Sequence, residues 1–128
     1  MNNFIKKQSD LPIISKLILT YKKWQEILIH FPKTSRSTLG AKIDLFLIQT
    51  LELIFISVGS SKQSKLPFLV KANFKLDLAK FFLQVAWQIK AIDNKKYIAV
   101  SSDLDEVGKM LGGWIKDLKK KLPLEAEE

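Results

Sequence analysis

The sequence predicts an all-α protein, an antiparallel up-down-up-down four-helix bundle formed as a single domain over residues 1–128. Apolar residues recur at alternating spacings of three and four along most of the chain, which is the pattern of amphipathic helices. Short segments with Pro, Gly, Ser or Asn separate four such stretches, and no stretch alternates like a strand. A chain of 128 residues, 47% of them hydrophobic, has the size of one domain with one core. The predicted helices span roughly 11–30, 36–58, 65–91 and 94–121, and an acidic tail follows at 122–128.

The first predicted helix, 11–30, has one apolar stripe. Asp10 is its expected N-cap, and Pro12 falls in the first turn, where the missing N–H has no helical partner to lose. Phe31-Pro32 ends the helix, because proline restricts the residue before it and cannot continue the preceding helix. The stripe steps 3-4-3-4-3 through Ile14, Leu17, Tyr21, Trp24, Leu28 and Phe31.

The second predicted helix, 36–58, begins after a cap at Ser35 or Ser37 and is apolar on more than one face. Its most apolar run, 45–58, is interrupted by polar residues and is shorter than the roughly 20 apolar residues that cross a bilayer. A helix that is apolar all round has two surfaces to bury, which predicts an oligomer; a central core helix in a monomer is the alternative. The two stripes are Leu39, Ile43, Phe46 and Leu53, and Leu47, Leu51, Ile54 and Val58.

The third predicted helix, 65–91, follows a turn-rich linker at 59–64 and has Pro67 in its first turn. Leucine and alanine alternate on its core stripe, which lets a neighbouring helix approach closely. A second apolar set again exceeds what one core requires. The core stripe is Leu69, Ala72, Leu76, Ala79, Leu83 and Ala86, and the second set is Phe74, Leu78, Phe81, Phe82, Val85 and Ile89.

The fourth predicted helix, 94–121, follows the turn at Asp93-Asn94 and ends in three lysines, which suit the negative end of the helix dipole. Gly108, Gly112 and Gly113 each cost about 1 kcal/mol relative to alanine inside a helix. We interpret them as a site of close helix packing, with the approach of a nucleic-acid backbone as the alternative. The core stripe is Tyr97, Val100, Leu104, Val107, Leu111, Trp114 and Leu118.

The charge favours nucleic acid or an anionic surface as the partner, and a merely soluble, lysine-rich surface is the alternative. The chain has 21 basic and 13 acidic residues, a formal net charge of +8, and three of the acidic residues lie in the last four positions. Lysines spread along helices contact phosphates without reading bases, so binding should be salt-sensitive and weakly sequence-specific. The candidate nucleic-acid-binding residues are Lys71, Lys75, Lys80, Lys109 and Lys116. The pairs and runs at Lys22-Lys23 and at 119–121 are interpreted as solvated helix ends.

The residues for catalysis are nearly missing, so the sequence predicts a protein that is not an enzyme and has no metal or cofactor. It contains no Cys, one His and no glycine-rich phosphate loop. His30, beside Phe31-Pro32, suits a capping or surface role. The acidic cluster Asp103, Asp105 and Glu106 is interpreted as a dipole-favoured first half of helix four, with Lys109 paired to Asp105. The N-terminal residues lack the pattern of a secretory signal, so we expect a cytoplasmic location and no membrane partner.

Three stretches of the chain carry a more specific pattern. They are Phe31-Pro32-Lys33-x-x-Arg36-x-Thr38-Leu39-Gly40, then Lys80-Phe81-Phe82-Leu83, and Glu106-Val107-Gly108-Lys109-Met110-Leu111-Gly112-Gly113-Trp114-Ile115-Lys116. Together they resemble the accessory variability determinant (Avd) family, four-helix-bundle proteins of diversity-generating retroelements that are related to the intervening-sequence proteins of ribosomal RNA genes. The resemblance covers roughly 11–118, and the Gly-x-Met-Leu-Gly-Gly-Trp segment is its most specific part.

The resemblance implies a cyclic homo-oligomer, a pentameric barrel, that binds the reverse transcriptase of the element and nucleic acid and supports mutagenic retrohoming without being a catalyst. It implies helix-packing or subunit-interface roles for Arg36, Gly40, Gly108, Gly112, Gly113 and Trp114. Two departures concern nucleic-acid contacts: Gln84 stands where similar proteins have a second basic residue, and lysine replaces arginine almost throughout. The alternative is a scaffold of the intervening-sequence group with no reverse transcriptase partner.

Overall fold

The structure, a computed structural model, describes residues 11–122. Within this range the chain forms four long helices and no strand: α1 (Pro12–Ile29), α2 (Ala41–Val58), α3 (Lys62–Gln88) and α4 (Asn94–Lys121). A helical turn, Lys33–Ser35, and a π-helical segment, Arg36–Gly40, precede α2. Helix α2 packs against α1 and α3, and α4 packs against α1 and α3, so the four helices close into a bundle around one core. Across 11–122, no helix combines the length and the apolar character that crossing a membrane would require.

The predicted starts of the helices are partly confirmed. Helix α4 begins as predicted, because the Asp93 side chain accepts a hydrogen bond from the Lys96 backbone N–H at 2.8 Å. Helix α1 begins at Pro12 after Leu11, which caps it without a side-chain hydrogen bond, while the predicted cap Asp10 lies outside the described residues. The prediction for the second helix is wrong in its cap. Ser35 precedes the π-helical segment without a capping hydrogen bond, and Ser37 lies inside that segment.

The third helix is displaced relative to its prediction. It begins at Lys62, because the Ser61 hydroxyl accepts the Ser64 N–H at 3.3 Å and caps the helix there. Pro67 therefore lies in the second turn of the helix and not in the first. In the second turn its missing N–H removes a helical hydrogen bond. The helix ends at Gln88, because Lys90 adopts a left-handed conformation with φ of 65° and the chain reverses there. The Ala91 N–H then bonds to the Ala86 carbonyl at 2.8 Å.

The core confirms the predicted stripes. All six leucines and alanines of the α3 stripe are fully buried, as are Trp24 on α1 and Leu104 on α4. Tyr21, Leu28 and the predicted core residue Trp114 are half-buried at the edge of this core. Twenty-two buried hydrophobic residues from all four helices and their connections form this one cluster. The core of the bundle is therefore built from side chains that the periodicity identifies.

Candidate nucleic-acid and assembly surfaces

One carboxylate joins α1 to the beginning of α2. Asp44 Oδ1 accepts hydrogen bonds from the Tyr21 hydroxyl at 2.9 Å, from Trp24 Nε1 at 3.0 Å and from Gln25 Nε2 at 2.8 Å. Trp24 is fully buried, so its indole N–H requires an acceptor inside the protein. Burial, followed by the hydrogen bond to Asp44, raises the pKa of Tyr21 to about 12. The sequence did not reveal this cluster; a carboxylate in the first turn of the apolar α2 is the feature that could have indicated it.

The predicted packing residues Arg36 and Gly40 lie where the chain turns from α1 towards α2. Arg36 Nη2 donates to the carbonyls of Ile29 at 3.0 Å and Phe31 at 2.9 Å, which satisfies acceptors at the end of α1. Gly40 is buried, and a Cβ atom there would lie 2.8 Å from Leu28 Cδ1 and 3.3 Å from Phe31 Cδ2. These two residues hold α1 close to the next segment within one chain.

The acidic cluster of α4 forms ion pairs with other helices. Asp103 contacts Lys16 at 3.3 Å and Lys23 at 2.7 Å, and Glu106 contacts Lys16 at 2.6 Å. Hydrogen bonds to Glu106 and Asp103 raise the pKa of Lys16. Partial burial opposes ionisation of Asp103, but the hydrogen bonds from Lys23 and Lys16 outweigh it and lower its pKa. The cluster therefore ties α4 to α1.

Two parts of the prediction for this cluster are wrong. The three carboxylates lie more than two turns from the start of α4, beyond the reach of its dipole. Asp105 pairs with Lys80 on α3 at 2.9 Å, and not with Lys109. The cross-helix partner is available because α3 packs against α4, a relation that spacing along one helix does not reveal.

The five lysines proposed for nucleic acid do not lie on one face of the bundle. The Lys75 ammonium lies 5.6 Å from the ring centre of Phe46 on α2, whereas Lys80 points to Asp105 on α4. These two lysines therefore flank opposite sides of α3, and the charge of Lys80 is neutralised. The remaining three, Lys71, Lys109 and Lys116, are exposed.

The α2–α3 side carries lysines over aromatic rings. Phe46 and Phe82 stack with ring centres 5.9 Å apart, and Lys42 lies 5.8 Å and 5.7 Å from the two centres. Lys75 lies above the same Phe46 ring. A cation above a ring face is attracted by the ring quadrupole, which holds these two ammonium groups at the boundary between polar and apolar surface.

The glycines of α4 divide into two kinds. A Cβ atom at Gly108 would meet Leu76 at 3.7 Å and Lys80 Nζ at 3.8 Å, which is ordinary contact with α3. At Gly112 and Gly113 a Cβ atom would meet nothing within 4 Å. Gly112 and Gly113 therefore do not pack closely against another helix of the same chain, and their subunit-interface role stays a prediction. Both glycines face away from the bundle and are exposed.

Gly112→Ala should raise the free energy of unfolding by about 0.5–1 kcal/mol, because the exposed helix gains propensity and no neighbour is displaced. Urea denaturation followed by circular dichroism at a concentration below assembly measures this. Gly40→Ala is the matched control and should show no such gain, since its methyl group meets Leu28. A lower stability for Gly112→Ala would contradict the open environment.

The outer surfaces of α2 and α3 are strongly apolar. Seven large hydrophobic side chains on these two helices are each 40–60% exposed, and we refer to them as the outer apolar surface. Helices α2 and α3 pack side by side, so these exposed side chains belong to two neighbouring helices. Exposed apolar surface on this scale is typical of an interaction site. The seven residues are Leu45, Ile48, Phe55, Ile56, Val70, Phe74 and Phe81.

The end of α4 meets the beginning of α3 at Trp114. The Lys65 ammonium lies 5.8 Å from the centre of the Trp114 ring, which is half-buried. Trp114 also lines a shallow pocket together with Met110 and the first residues of α1. Trp114 thus packs at one end of the bundle, where three helices meet.

Residues suited to catalysis do not converge in the part of the chain that the structure describes. His30 caps α1 through its backbone and is exposed. Between residues 11 and 122, no three His, Cys, Asp or Glu side chains are grouped so that they could hold a metal ion. The notable arrangements of this molecule are therefore surfaces.

A family model described as bAvd-like matches residues 13–118. The match includes α2 and α3 completely, α1 except its first residue and α4 except its last three residues. No curated protein matches the sequence.

Proposed function

Because this chain belongs to the bAvd-like family, we propose that it is a non-catalytic accessory protein of a diversity-generating retroelement. In this role it binds template RNA or cDNA and the reverse transcriptase of the element, and it supports mutagenic retrohoming. The observation that carries the proposal is the family match over residues 13–118 of a strongly basic chain. An excess of lysines raises the local concentration of polyanions and speeds their association.

The proposed assembly is a cyclic homo-oligomer, a pentameric barrel, of antiparallel up-down-up-down bundles. The outer apolar surface supports this assembly, because leaving seven large apolar side chains in contact with water is energetically unfavourable. Connections of three residues between α2 and α3 and of five between α3 and α4 favour antiparallel neighbours. A closed ring buries the same surface on every copy and leaves no open end.

The test of the proposed function is a pull-down with a co-expressed reverse transcriptase from the same genomic neighbourhood. Nuclease treatment and a high-salt wash remove bridging by nucleic acid. Retention of the reverse transcriptase supports the accessory role. Its loss would favour the second candidate, a helix-bundle scaffold of the intervening-sequence group with no polymerase partner, for which the family's fold alone would suffice.

A further inference from the structure

Charge is unevenly distributed along α4. The three carboxylates in its middle are neutralised by Lys16, Lys23 and Lys80 from neighbouring helices. Beyond them, from residue 109 to residue 121, the helix carries five lysines and one acidic residue, Asp117. The positive charge of the helix is therefore concentrated towards its C-terminal end.

The first turn of α3 adds charge at the same place. Lys65 lies over Trp114 of α4, which brings the start of α3 beside the end of α4. Lys62 and Lys65 both belong to that first turn, which contains no acidic residue. We call the resulting set the basic end of the bundle: Lys62, Lys65, Lys116, Lys119, Lys120 and Lys121. In the described part of the chain, none of the six pairs with a carboxylate.

The fold accounts for only half of this charge. The three lysines at 119–121 are in the last turn of α4, where the helix dipole favours cations. Lys62 and Lys65 lie at the positive end of α3, where the same dipole opposes them, and Lys116 is exposed with no partner helix against it. Charges that are placed against a dipole and left unpaired stabilise a bound anion better than they stabilise the bundle.

The α3 lysines predicted from the sequence are less suited to a polyanion. Lys80 is paired with Asp105, and Lys75 lies against Phe46, beside the outer apolar surface that a second copy would cover. On α4, in contrast, the exposed large hydrophobic residue is Ile98, which lies near the opposite end of the helix. The part of α4 that belongs to the basic end exposes no such residue. Its chemistry is that of a surface for phosphates and not for another helix.

We propose that the basic end is the surface that binds the phosphate backbone of nucleic acid. This inference rests on the nucleic-acid binding in the proposed function and assigns it to a place. Six lysines without guanidinium forks contact phosphates as point charges, so the surface binds nucleic acid of any sequence and releases it as the salt concentration rises.

The test compares three triple variants of the full-length protein that lose the same charge. Lys62→Gln/Lys116→Gln/Lys120→Gln alters the basic end. Lys71→Gln/Lys75→Gln/Lys80→Gln alters the three α3 lysines predicted from the sequence. Lys33→Gln/Lys95→Gln/Lys96→Gln alters exposed lysines near the end of α1 and the start of α4, at the opposite end of the bundle. Fluorescence anisotropy with a short labelled single-stranded RNA, and with a DNA of the same sequence, is measured over a series of salt concentrations.

The basic-end variant should lose about tenfold or more in affinity for both nucleic acids, and the slope of log K against log salt should fall by about 2. The other two variants should change the slope by less than about 1. Circular dichroism checks that each variant keeps its helical content, and the single variants Lys62→Gln and Lys116→Gln provide the same comparison if a triple variant does not fold.

Two results would overturn the assignment while leaving the proposed function intact. One is an equal loss in all three variants, which would mean that net charge and not a defined surface governs binding. The other is a loss confined to the Lys71, Lys75 and Lys80 variant. If the unmodified protein binds neither RNA nor DNA, both this inference and the nucleic-acid part of the proposed function fail, and the pull-down decides the reverse transcriptase part separately.

Discussion

Asp44→Ala should lower the free energy of unfolding by about 3 kcal/mol, because one truncation removes the acceptor of three donors. The indole N–H of Trp24 would remain buried without a partner, and it cannot turn to water without moving the centre of the core. Urea denaturation monitored by circular dichroism measures the change. Glu52→Ala is the control, since Glu52 is an exposed carboxylate on the same helix and its loss should cost less than about 0.5 kcal/mol.

The ionisation of Tyr21 provides a second readout of the same cluster. The folded-state pKa of about 12 lies above the ordinary value of 10.0, so the Tyr21–Asp44 interaction stabilises the fold below pH 10 and is lost as the pH rises towards 12. Asp44→Asn should lower the pKa of Tyr21 towards 10, because the amide carries no negative charge. Absorbance of the phenolate in a Tyr97→Phe background follows Tyr21 alone. A stability of Asp44→Ala within 1 kcal/mol of the unmodified protein, or an unchanged Tyr21 pKa, would contradict the described cluster.

Phe74→Glu should convert the proposed oligomer into single chains. Phe74 is 60% exposed at the middle of the outer apolar surface, and its burial between copies would contribute about 2 kcal/mol to each interface. Glutamate removes that contribution and adds the cost of burying a charge, and a ring repeats the loss at every interface. Sedimentation velocity should show about five times the mass of one chain for the unmodified protein and one chain mass for the variant.

The matched control for this substitution is Ile98→Glu. Ile98 is 63% exposed but lies on α4, away from the outer apolar surface, so the same chemical change should leave the assembly intact. An assembled Phe74→Glu variant would show that the outer apolar surface does not join the copies. Dissociation by both substitutions would place the beginning of α4 in the interface as well.

Some features of this fold depend on residues that are close together in the chain, and others depend on contacts between residues that are far apart in it. The start of α4 and the core stripes follow from caps and from apolar spacing, which act within one helix. The end of α3 does not follow from such local signals, because Lys90 adopts the left-handed conformation that ends the helix. Glycine or asparagine at this position would have indicated that conformation in the sequence. The π-helical segment before α2 likewise reflects the contact of Arg36 with the end of α1 and has no pattern of its own.

The candidate surfaces show the same division. The surplus of lysine and the second apolar sets of α2 and α3 were evident from the sequence, and they led to the prediction of a partner. Which lysines remain unpaired was not evident, because pairs such as Lys80 with Asp105 connect residues on different helices. The direction of Gly112 and Gly113 was equally hidden, since a glycine contributes no side chain to the periodicity that would place it.

The helical bundle of the Avd type could be predicted from the sequence, because helix formation and core burial depend on the order of apolar residues along each segment, and family motifs are local strings. Three features are visible in the folded chain alone: Asp44 holds α1 to α2, the acidic cluster of α4 is neutralised, and unpaired positive charge collects where α3 begins and α4 ends. The physical reason is that Coulomb interactions and hydrogen bonds act over a few ångströms in space, and packing brings together residues that lie far apart in the chain.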